Sequence, residues 1–329
     1  MSRSKLAFNF KNTFPTCAEW ANAFRFKTLK TLPRATLSSS ETALECAKAL
    51  NIQNPENKIA LELYPGLGCW TRALKDIGFK RVISLEPQSV YYQWLQEEVF
   101  GPLEEKVSIF KMDGYEWETY GELKRPDHLG NLVNTDWSQV HPNLFFTGML
   151  PRGRRGEQLL SQFVCCVHNK MAMHSLGRIP MAFWVPDLLY PKLTSVAGER
   201  ARCKMSIVAE AIGEVKTIYE TKPGDAYPDS TSYYLVSIVP WEKSRINADW
   251  DVFEYVLKHL FVQPKTKLTT AIKTLGPGAE ILLGRLPYNP DVFVRDLTIE
   301  QLDQIAIKFD QWPLKPKVLF EDADPFLSK

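Results

Sequence analysis

Residues 61–74, LELYPGLGCWTRAL, join an apolar run to an amphipathic segment through a short loop that contains Gly66 and Gly68. This order of strand, glycine loop and helix is how doubly wound α/β folds present a nucleotide-like ligand. Glycine has no Cβ atom, so a ligand can approach the backbone and the loop can adopt left-handed φ angles. Tyr64 stands where such loops usually carry their first glycine. The sequence therefore predicts a cofactor-binding fold with one departure in its loop.

Strand and helix patterns alternate between residues 58 and 117, which predicts a parallel, doubly wound sheet. We expect strands over residues 58–63, 81–86, 107–112, 143–150, 181–186 and 232–240. Residues 119–143 are polar and contain prolines and a glycine, so they are expected to form an insertion or a long loop. Beyond residue 241 the apolar residues recur at helical spacing, which predicts a small helical domain after the α/β domain.

Two acidic residues follow strands of this pattern. Glu86 ends the second strand, 20 residues after Gly66, where doubly wound folds place the carboxylate that accepts hydrogen bonds from ribose hydroxyls. Asp113 follows the third strand and is placed to meet the exocyclic amine of an adenine. The chain has no full G-x-G-x-x-G and no GxxxxGK[ST] motif, so S-adenosylmethionine fits better than a dinucleotide or a nucleoside triphosphate. The alternative is a cofactor-free sheet whose strand-end acids cap helices or face water.

Composition limits the class of protein and its partners. The six cysteines are scattered without a CxxC pair, which favours a reducing compartment and argues against a zinc module. The net charge is only +2, so any affinity for nucleic acid must come from local basic patches. No run of 18 apolar residues is present, so no membrane span is expected.

The amino terminus differs from the rest of the chain. Its first 40 residues contain seven Lys and Arg residues against one acid, Glu19, and are rich in Ser and Thr. This composition is typical of a mitochondrial transit segment, although a solvated basic arm has the same composition. Composition alone leaves both interpretations open, and the first of them implies localisation to the mitochondrial matrix.

The loop motif, Glu86 and KMDGYEW (111–117) resemble the first three motifs of the rRNA adenine dimethyltransferase superfamily. LYPGLG, with Tyr64, resembles its fungal mitochondrial transcription factor B branch. Further likeness lies in residues 24–29, 201–212, 255–272 and 297–316.

The resemblance implies a Rossmann-like S-adenosylmethionine-dependent methyltransferase fold over residues 21–240, with a small carboxy-terminal helical domain over 241–315. The targeting segment would then be confined to residues 1–20, and residues 316–329 would form a flexible tail. Leu29 is implied as a cofactor contact. Together with Gly66, Gly68, Glu86 and Asp113 it would form an ancestral S-adenosylmethionine site that the protein does not require.

The catalytic motif of that superfamily is altered. In the enzymes, the fourth strand ends in Asn-(Leu/Ile)-Pro-(Tyr/Phe), whose Asn holds the adenine amine and whose ring stacks on the extruded base. Here the strand ends in FFTGMLPRGRRG, with Gly148 at the position of the Asn and no aromatic residue before Phe163. We therefore expect no catalytic residues. The alternative is an active S-adenosylmethionine-dependent rRNA adenine N6,N6-dimethyltransferase.

By resemblance, the chain is a mitochondrial transcription initiation factor that confers promoter recognition and melting on the mitochondrial RNA polymerase. Its expected partners are that polymerase, promoter DNA including the melted single strand, and RNA. Arg152, Arg154 and Arg155 lie in the glycine-rich loop PRGRRGE and suit phosphate contacts, although an ordinary solvated loop has the same residues. Lys265 and Lys267 form a second basic stretch that faces either nucleic acid or solvent.

Overall fold

The computed structural model describes residue 14, residues 19–20, 34–100, 105–129, 132–228 and 232–316, and residue 319. Leu29, nearly all of the expected targeting segment and nearly all of the expected tail lie outside these described residues. The chain divides into two compact units, Met1–Tyr190 with Glu214–Glu242, and Pro191–Gly213 with Lys243–Lys329. Residues 191–213, which the sequence assigned to the α/β domain, thus group with the second unit.

A seven-stranded sheet forms the centre of the first unit. Its strands are β2 (Ile59–Leu63), β3 (Arg81–Leu85), β4 (Val107–Phe110), β5 (Leu144–Met149), β6 (Met181–Pro186), β7 (Gly213–Glu220) and β9 (Tyr233–Pro240). They lie in the order β4-β3-β2-β5-β6-β9-β7. β2 to β6 are mutually parallel, and β9 is antiparallel to β6. The predicted α/β fold with a largely parallel sheet is confirmed.

A second, two-stranded sheet pairs β1 (Thr36–Leu37) with β8 (Ala226–Tyr227). The helices of this unit are α1 (Ser40–Ala49), α2 (Cys69–Asp76), α3 (Ser89–Trp94, continued by a π-helical turn, Leu95–Val99), α4 (Trp117–Glu122) and α5 (Arg154–Asn169). Short 3-10 turns cover Pro55–Asn57 and Ala172–Leu176, and α6 (Tyr190–Thr194) lies at the junction of the two units in the chain.

The apolar strands explain why the sheet is covered on both faces. In β2 and β3 every residue after the first is buried, which is the pattern of a parallel strand packed between two layers of helices. The parallel register places the carboxyl ends of these strands at one edge of the sheet, next to the loops that follow them.

Two segments differ from the sequence-based expectation. Strand β7 is missing from the predicted strands, because its residues are mostly half-buried or exposed and give no apolar run. Residues 119–143 are not a simple loop: α4 covers their start, and the backbone N–H groups of Thr135 and His141 donate to Leu176 and Arg178. These polar residues thus form a surface segment whose backbone pairs with a neighbouring segment, rather than a free insertion.

The second unit is helical. It contains α7 (Lys204–Ile212), α8 (Trp250–Leu260), α9 (Leu268–Ala271) and α10 (Ile299–Asp310), with 3-10 turns at Ile272–Leu275, Ala279–Arg285 and Val294–Asp296. Thr298 caps α10 and exchanges hydrogen bonds with Gln301, which confirms the predicted capping box. The buried stripe of this helix includes Leu302, Ile305 and Phe309, as its spacing predicts. Within the described residues, no helix combines the length and apolarity needed to span a bilayer.

Candidate functional site at the carboxyl edge of the sheet

The loop between β2 and α2 turns in left-handed backbone conformation. Tyr64 has φ 57°, Gly66 has φ 57° and Gly68, the N-cap of α2, has φ 92°. A bulky residue rarely adopts positive φ, so Tyr64 must be held in place by its surroundings. Its backbone N–H donates to the carbonyl oxygen of Leu85, and its hydroxyl donates to Oδ1 of Asp113 at 2.6 Å. Tyr64 thus replaces the expected open backbone by a buried ring.

Glu86 lies at the end of β3 and is completely buried. One of its carboxylate oxygens forms an ion pair with the guanidinium of Arg34 and accepts the N–H of Gly66 at 3.2 Å. The other oxygen accepts the N–H of Gln88 at 2.9 Å. Both oxygens expected to meet ribose hydroxyls are therefore engaged by the chain itself.

Arg34 enters this pocket from the segment that precedes β1. Its guanidinium carbon lies 5.0 Å from the ring centroids of both Tyr64 and Tyr91, so two aromatic faces flank the charge. The Arg34 side chain is nearly as buried as that of Glu86. The pair compensates two charges that would each be costly to remove from water alone.

Asp113, placed after β4, is held in the same way. Besides the Tyr64 hydroxyl, its Oδ1 accepts the N–H of Tyr115 at 3.0 Å, and its Oδ2 forms an ion pair with Arg155. Burial, and then the hydrogen bond to Asp113, raise the pKa of the Tyr64 hydroxyl well above its usual value, so this group stays a donor. We call Arg34, Tyr64, Glu86 and Asp113 the closed pocket.

The glycines of the loop make room for the protein's own side chains. A Cβ atom built on Gly66 would lie 2.4 Å from Cγ2 of Thr36 in β1, and one on Gly68 would lie 2.8 Å from Cδ2 of Leu95. The space that the sequence assigned to S-adenosylmethionine is thus approached by β1, and both acids are already paired. In this arrangement, the two acids expected to contact the cofactor are held by the chain's own groups.

Gly148 explains the altered catalytic motif. It pairs with Leu63 in the parallel register of β5 and β2, and a Cβ atom at this position would lie 2.3 Å from the Leu63 carbonyl oxygen. A side chain of any kind would force the two strands apart. In this backbone conformation the position has no room for an asparagine side chain.

The arginine loop, residues 150–156, leads from β5 into α5. Arg152, Arg154 and Arg155 are exposed. Arg155 pairs with Asp113, and its guanidinium carbon lies 4.5 Å from the ring centroid of Tyr115. Arg152 and Arg154 form no ion pair with another described residue. Two of the three predicted phosphate-binding cations are therefore available to an outside ligand, and the third joins this loop to the closed pocket.

Sequence reasoning missed three residues of this edge. Arg34 was counted only as a charge of the basic amino terminus. Tyr115 and Trp117 belong to a motif that was used for Asp113 alone, although two aromatic residues beside an arginine loop could have pointed to stacking. Trp117 is 47% exposed and Tyr115 is half-buried beneath Arg155, so this segment presents one exposed ring and one ring covered by a cation.

Glu62 in β2 is a second completely buried carboxyl group near the loop. It accepts hydrogen bonds from the hydroxyls of Thr71 and Ser84, each at 2.7 Å. Burial raises the pKa of Glu62 to about 7, against the smaller opposing effect of these two donors. Its role is to tie β2, β3 and α2 together.

The remaining predicted cations, Lys265 and Lys267, belong to the second unit and precede helix α9. Lys267 forms an exposed ion pair with Asp291 at 2.8 Å. Lys265 is exposed and forms no bond with another described residue. In the part of the chain that is described, no three His, Cys, Asp or Glu side chains are grouped to hold a metal ion.

Similar proteins support this description of the fold. The sequence profile of the family described as Ribosomal RNA adenine dimethylase matches residues 30–311. Mitochondrial transcription factor 1 of Saccharomyces cerevisiae is 29% identical over 83% of this chain and 86% of its own length. Its namesake of Lachancea kluyveri is 26% identical over 81% and 84%. Dimethyladenosine transferase 1, mitochondrial, of Vermamoeba vermiformis is 24% identical over 79% and 84%.

Solved structures share the fold at low identity. A dimethyladenosine transferase from Plasmodium falciparum superimposes with a TM-score of 0.60 at 13% identity, over 84% of this chain and 98% of that one. The 23S rRNA methyltransferase ErmE superimposes with a TM-score of 0.55 at 14% identity, over 84% of this chain and 100% of that one. The predicted Rossmann-like methyltransferase fold is confirmed.

Proposed function

Because the chain belongs to the ribosomal RNA adenine dimethylase family but has a closed pocket, we propose that it is a mitochondrial transcription initiation factor without methyltransferase activity. In this role it joins the mitochondrial RNA polymerase, helps to recognise and open the promoter, and binds the melted strand. The observation that carries the proposal is the pairing of Glu86 with Arg34 and of Asp113 with Tyr64 and Arg155. An enzyme of this family would need these carboxylates for its cofactor.

Relatives support the same assignment. Two fungal proteins with 29% and 26% identity are named mitochondrial transcription factor 1, and they match most of this chain. Their names, and that of the mitochondrial dimethyladenosine transferase, agree with the mitochondrial localisation expected from the basic amino terminus. Binding of the polymerase and of promoter DNA are the corresponding proposals for this chain.

The proposed loss of catalysis is supported by packing as well as by sequence. Methyl transfer to an adenine amine needs an acceptor that orients the amine and a ring that stacks on the base. Gly148 cannot carry the first group, because a Cβ atom there would meet the Leu63 carbonyl oxygen. S-adenosylmethionine is not required for the proposed role.

The open surface beside the closed pocket supports binding of a melted strand. Arg152 and Arg154 provide unpaired charge for phosphates, and the exposed ring of Trp117 provides a stacking surface for an unpaired base. Tyr115, with Arg155 over its ring, lies two residues before Trp117 in the chain. A surface that alternates cations and rings binds single strands with little need for base-specific hydrogen bonds.

Run-off transcription tests the proposal. The cognate mitochondrial RNA polymerase is assayed on linear promoter DNA, with and without this protein and with no S-adenosylmethionine present. We expect transcripts of defined length only when the protein is added. Equal initiation by the polymerase alone would refute the proposed function.

The alternative is an active rRNA adenine dimethyltransferase. It is favoured by the retained Gly66, Gly68, Glu86 and Asp113 and by the relatives named dimethyladenosine transferase. Calorimetric titration with S-adenosylmethionine and methylation of an unmodified small-subunit rRNA hairpin decide this point. We expect neither binding heat nor methyl transfer, since the closed pocket would have to open first. Methylated product would establish the alternative.

A further inference from the structure

A small antiparallel pairing in the second unit gathers basic and aromatic residues that lie far apart in the sequence. Lys267 lies opposite Phe293. The N–H of Val294 donates to the carbonyl oxygen of Thr266 at 3.0 Å, and the N–H of Leu268 donates to that of Val292 at 2.8 Å. These two bonds flank Lys267 and Phe293, which makes them a non-hydrogen-bonded pair whose side chains lie close together on one face.

The same pairing extends to Arg295. Its backbone N–H donates to the carbonyl oxygen of Pro264 at 2.9 Å, which brings the peptide bond between Pro264 and Lys265 next to Arg295. Residues of the opposite face, Leu268 and Val294, are completely buried. We call Lys265, Lys267, Phe293 and Arg295 the Phe293 face.

This face combines cations with an exposed ring. Phe293 is 39% exposed, and the guanidinium carbon of Arg295 lies 5.8 Å from its ring centroid. Lys267 forms an ion pair with Asp291, and Nε of Arg295 lies 3.5 Å from an Asp296 oxygen. The positive charges of Lys267 and Arg295 are therefore partly neutralised. Lys265 is exposed and keeps its charge unpaired among the described residues. The face therefore presents one free cation, two partly neutralised cations and one stacking surface.

We infer that the Phe293 face is a second binding site for single-stranded nucleic acid, in which one unpaired base stacks on Phe293 and adjacent phosphates contact Lys265 and Arg295. The inference rests on the proposed function and adds to it a site in a different unit of the chain. The cations around the exposed ring favour a polyanion with unpaired bases over an apolar protein segment. Every base has a π-face, so this site would show little sequence preference.

Fluorescence anisotropy with a labelled oligodeoxythymidine and the full-length protein tests the site. Phe293→Ala is expected to weaken binding about fivefold without changing its dependence on salt, since stacking on a half-exposed ring is at the low end of such contributions. Phe293→Trp is expected to bind at least as tightly as wild type. Lys265→Ala is expected to lower the slope of log affinity against log salt by about 0.7, the value of one single-strand phosphate contact.

Ile281→Ala provides the matched control, because Ile281 is an exposed apolar residue of the same unit. If Phe293→Ala binds like Ile281→Ala, the inference is wrong. An equal loss on a blunt duplex, whose bases are already stacked, would also contradict it. So would unchanged oligonucleotide binding with weakened capture of the polymerase, which would identify a protein-docking surface instead. If this inference is wrong, the wild-type protein still binds the oligonucleotide. If the proposed function is wrong, the wild-type protein neither binds the oligonucleotide nor supports promoter-dependent transcription.

Discussion

The closed pocket and the arginine loop lie at the same edge of the sheet, yet their charged side chains are in opposite environments. In the closed pocket, Glu86 is buried and paired with Arg34, and Asp113 is paired within the chain. In the arginine loop, Arg152 and Arg154 extend into solvent without an ion-pair partner among the described residues. Both regions follow strands that in an enzyme of this fold would serve one reaction.

The difference shows how a binding protein can retain an enzyme's scaffold. Once the carboxylates are satisfied by the chain's own donors, the ligand site contributes to folding rather than to chemistry. Arg152 and Arg154 of the neighbouring loop take no part in that pairing and can bind another ligand. The comparison predicts that mutations in the closed pocket change stability, whereas mutations in the arginine loop change affinity for nucleic acid.

The largest expected effect is that of Arg34→Ala. The change leaves the Glu86 carboxylate buried without its cation, so the free energy of unfolding should fall by about 3–5 kcal/mol. Urea denaturation followed by circular dichroism measures the loss. Adding Glu86→Gln should recover a part of it, because the uncompensated charge is then gone.

Arg125→Ala is the control for this change. Arg125 forms an exposed ion pair with Glu122 three residues earlier, and such pairs contribute about 0.3–0.5 kcal/mol. If Arg34→Ala lost no more stability than Arg125→Ala, the pocket would not be held closed by its ion pair, and the contrast between the two regions would fail.

The next effect concerns Glu62, whose burial raises its pKa to about 7, while an unfolded glutamate titrates near 4.5. The folded state therefore holds a proton that the unfolded state releases as pH rises from about 4.5 to 7. Stability falls over this window and the penalty is constant above it, reaching about 3 kcal/mol for a shift of this size.

Glu62→Gln removes the titration while keeping an oxygen that accepts hydrogen bonds from Thr71 and Ser84. The unfolding free energy of the variant minus that of the wild type should be near its minimum at pH 4.5. It should rise in favour of the variant up to pH 7. Urea denaturation at intervals of half a pH unit measures it. A difference that does not vary with pH would show that folding does not raise the pKa of Glu62.

The smallest of these effects in free energy is that of Arg152→Ala combined with Arg154→Ala. Loss of two phosphate contacts should weaken binding of single-stranded DNA about tenfold at physiological salt and lower the salt slope by about 1.4. Stability should stay within about 0.5 kcal/mol of wild type, as for other exposed substitutions. Anisotropy titrations at several salt concentrations, paired with urea denaturation, measure both quantities.

The matched control replaces Lys124 and Arg125, two exposed cations near the end of α4. It removes the same net charge from the same unit. An equal loss of affinity in both double variants would assign the effect to net charge alone and would return the arginine loop to the status of a solvated loop.

Much of the architecture was predictable because periodicity reports burial. Apolar runs such as residues 81–86 and 181–186 predicted strands whose bounds the structure confirms to within a residue. Strand β7 was not predictable, since its half-exposed residues carry no comparable signal. The division of the chain into units also differs from expectation, because residues 191–213 group with helices that lie much later in the sequence.

Within the candidate site, the sequence identified Gly66, Glu86, Asp113 and the three arginines but not their partners. Glu86 and Arg34 are 52 residues apart, and Tyr64 and Asp113 are 49 apart, so no local pattern links them. From the sequence, Tyr64 is only a departure from the glycine pattern of the loop. In the structure its hydroxyl reaches Asp113, the acid expected at the adenine end. The direction of a side chain depends on its backbone angles, and residue type alone does not predict that Tyr64 has φ 57°.

The sequence by itself determined the α/β class, the family and the loss of the asparagine at Gly148, because these depend on residue identity and short-range spacing. Only the tertiary structure decided what the glycine loop does. The close approach of Thr36 to Gly66 and the pairing of Arg34 with Glu86 depend on β1 folding over the loop. Such contacts join residues that are far apart in the sequence. They form only when the fold places opposite buried charges side by side.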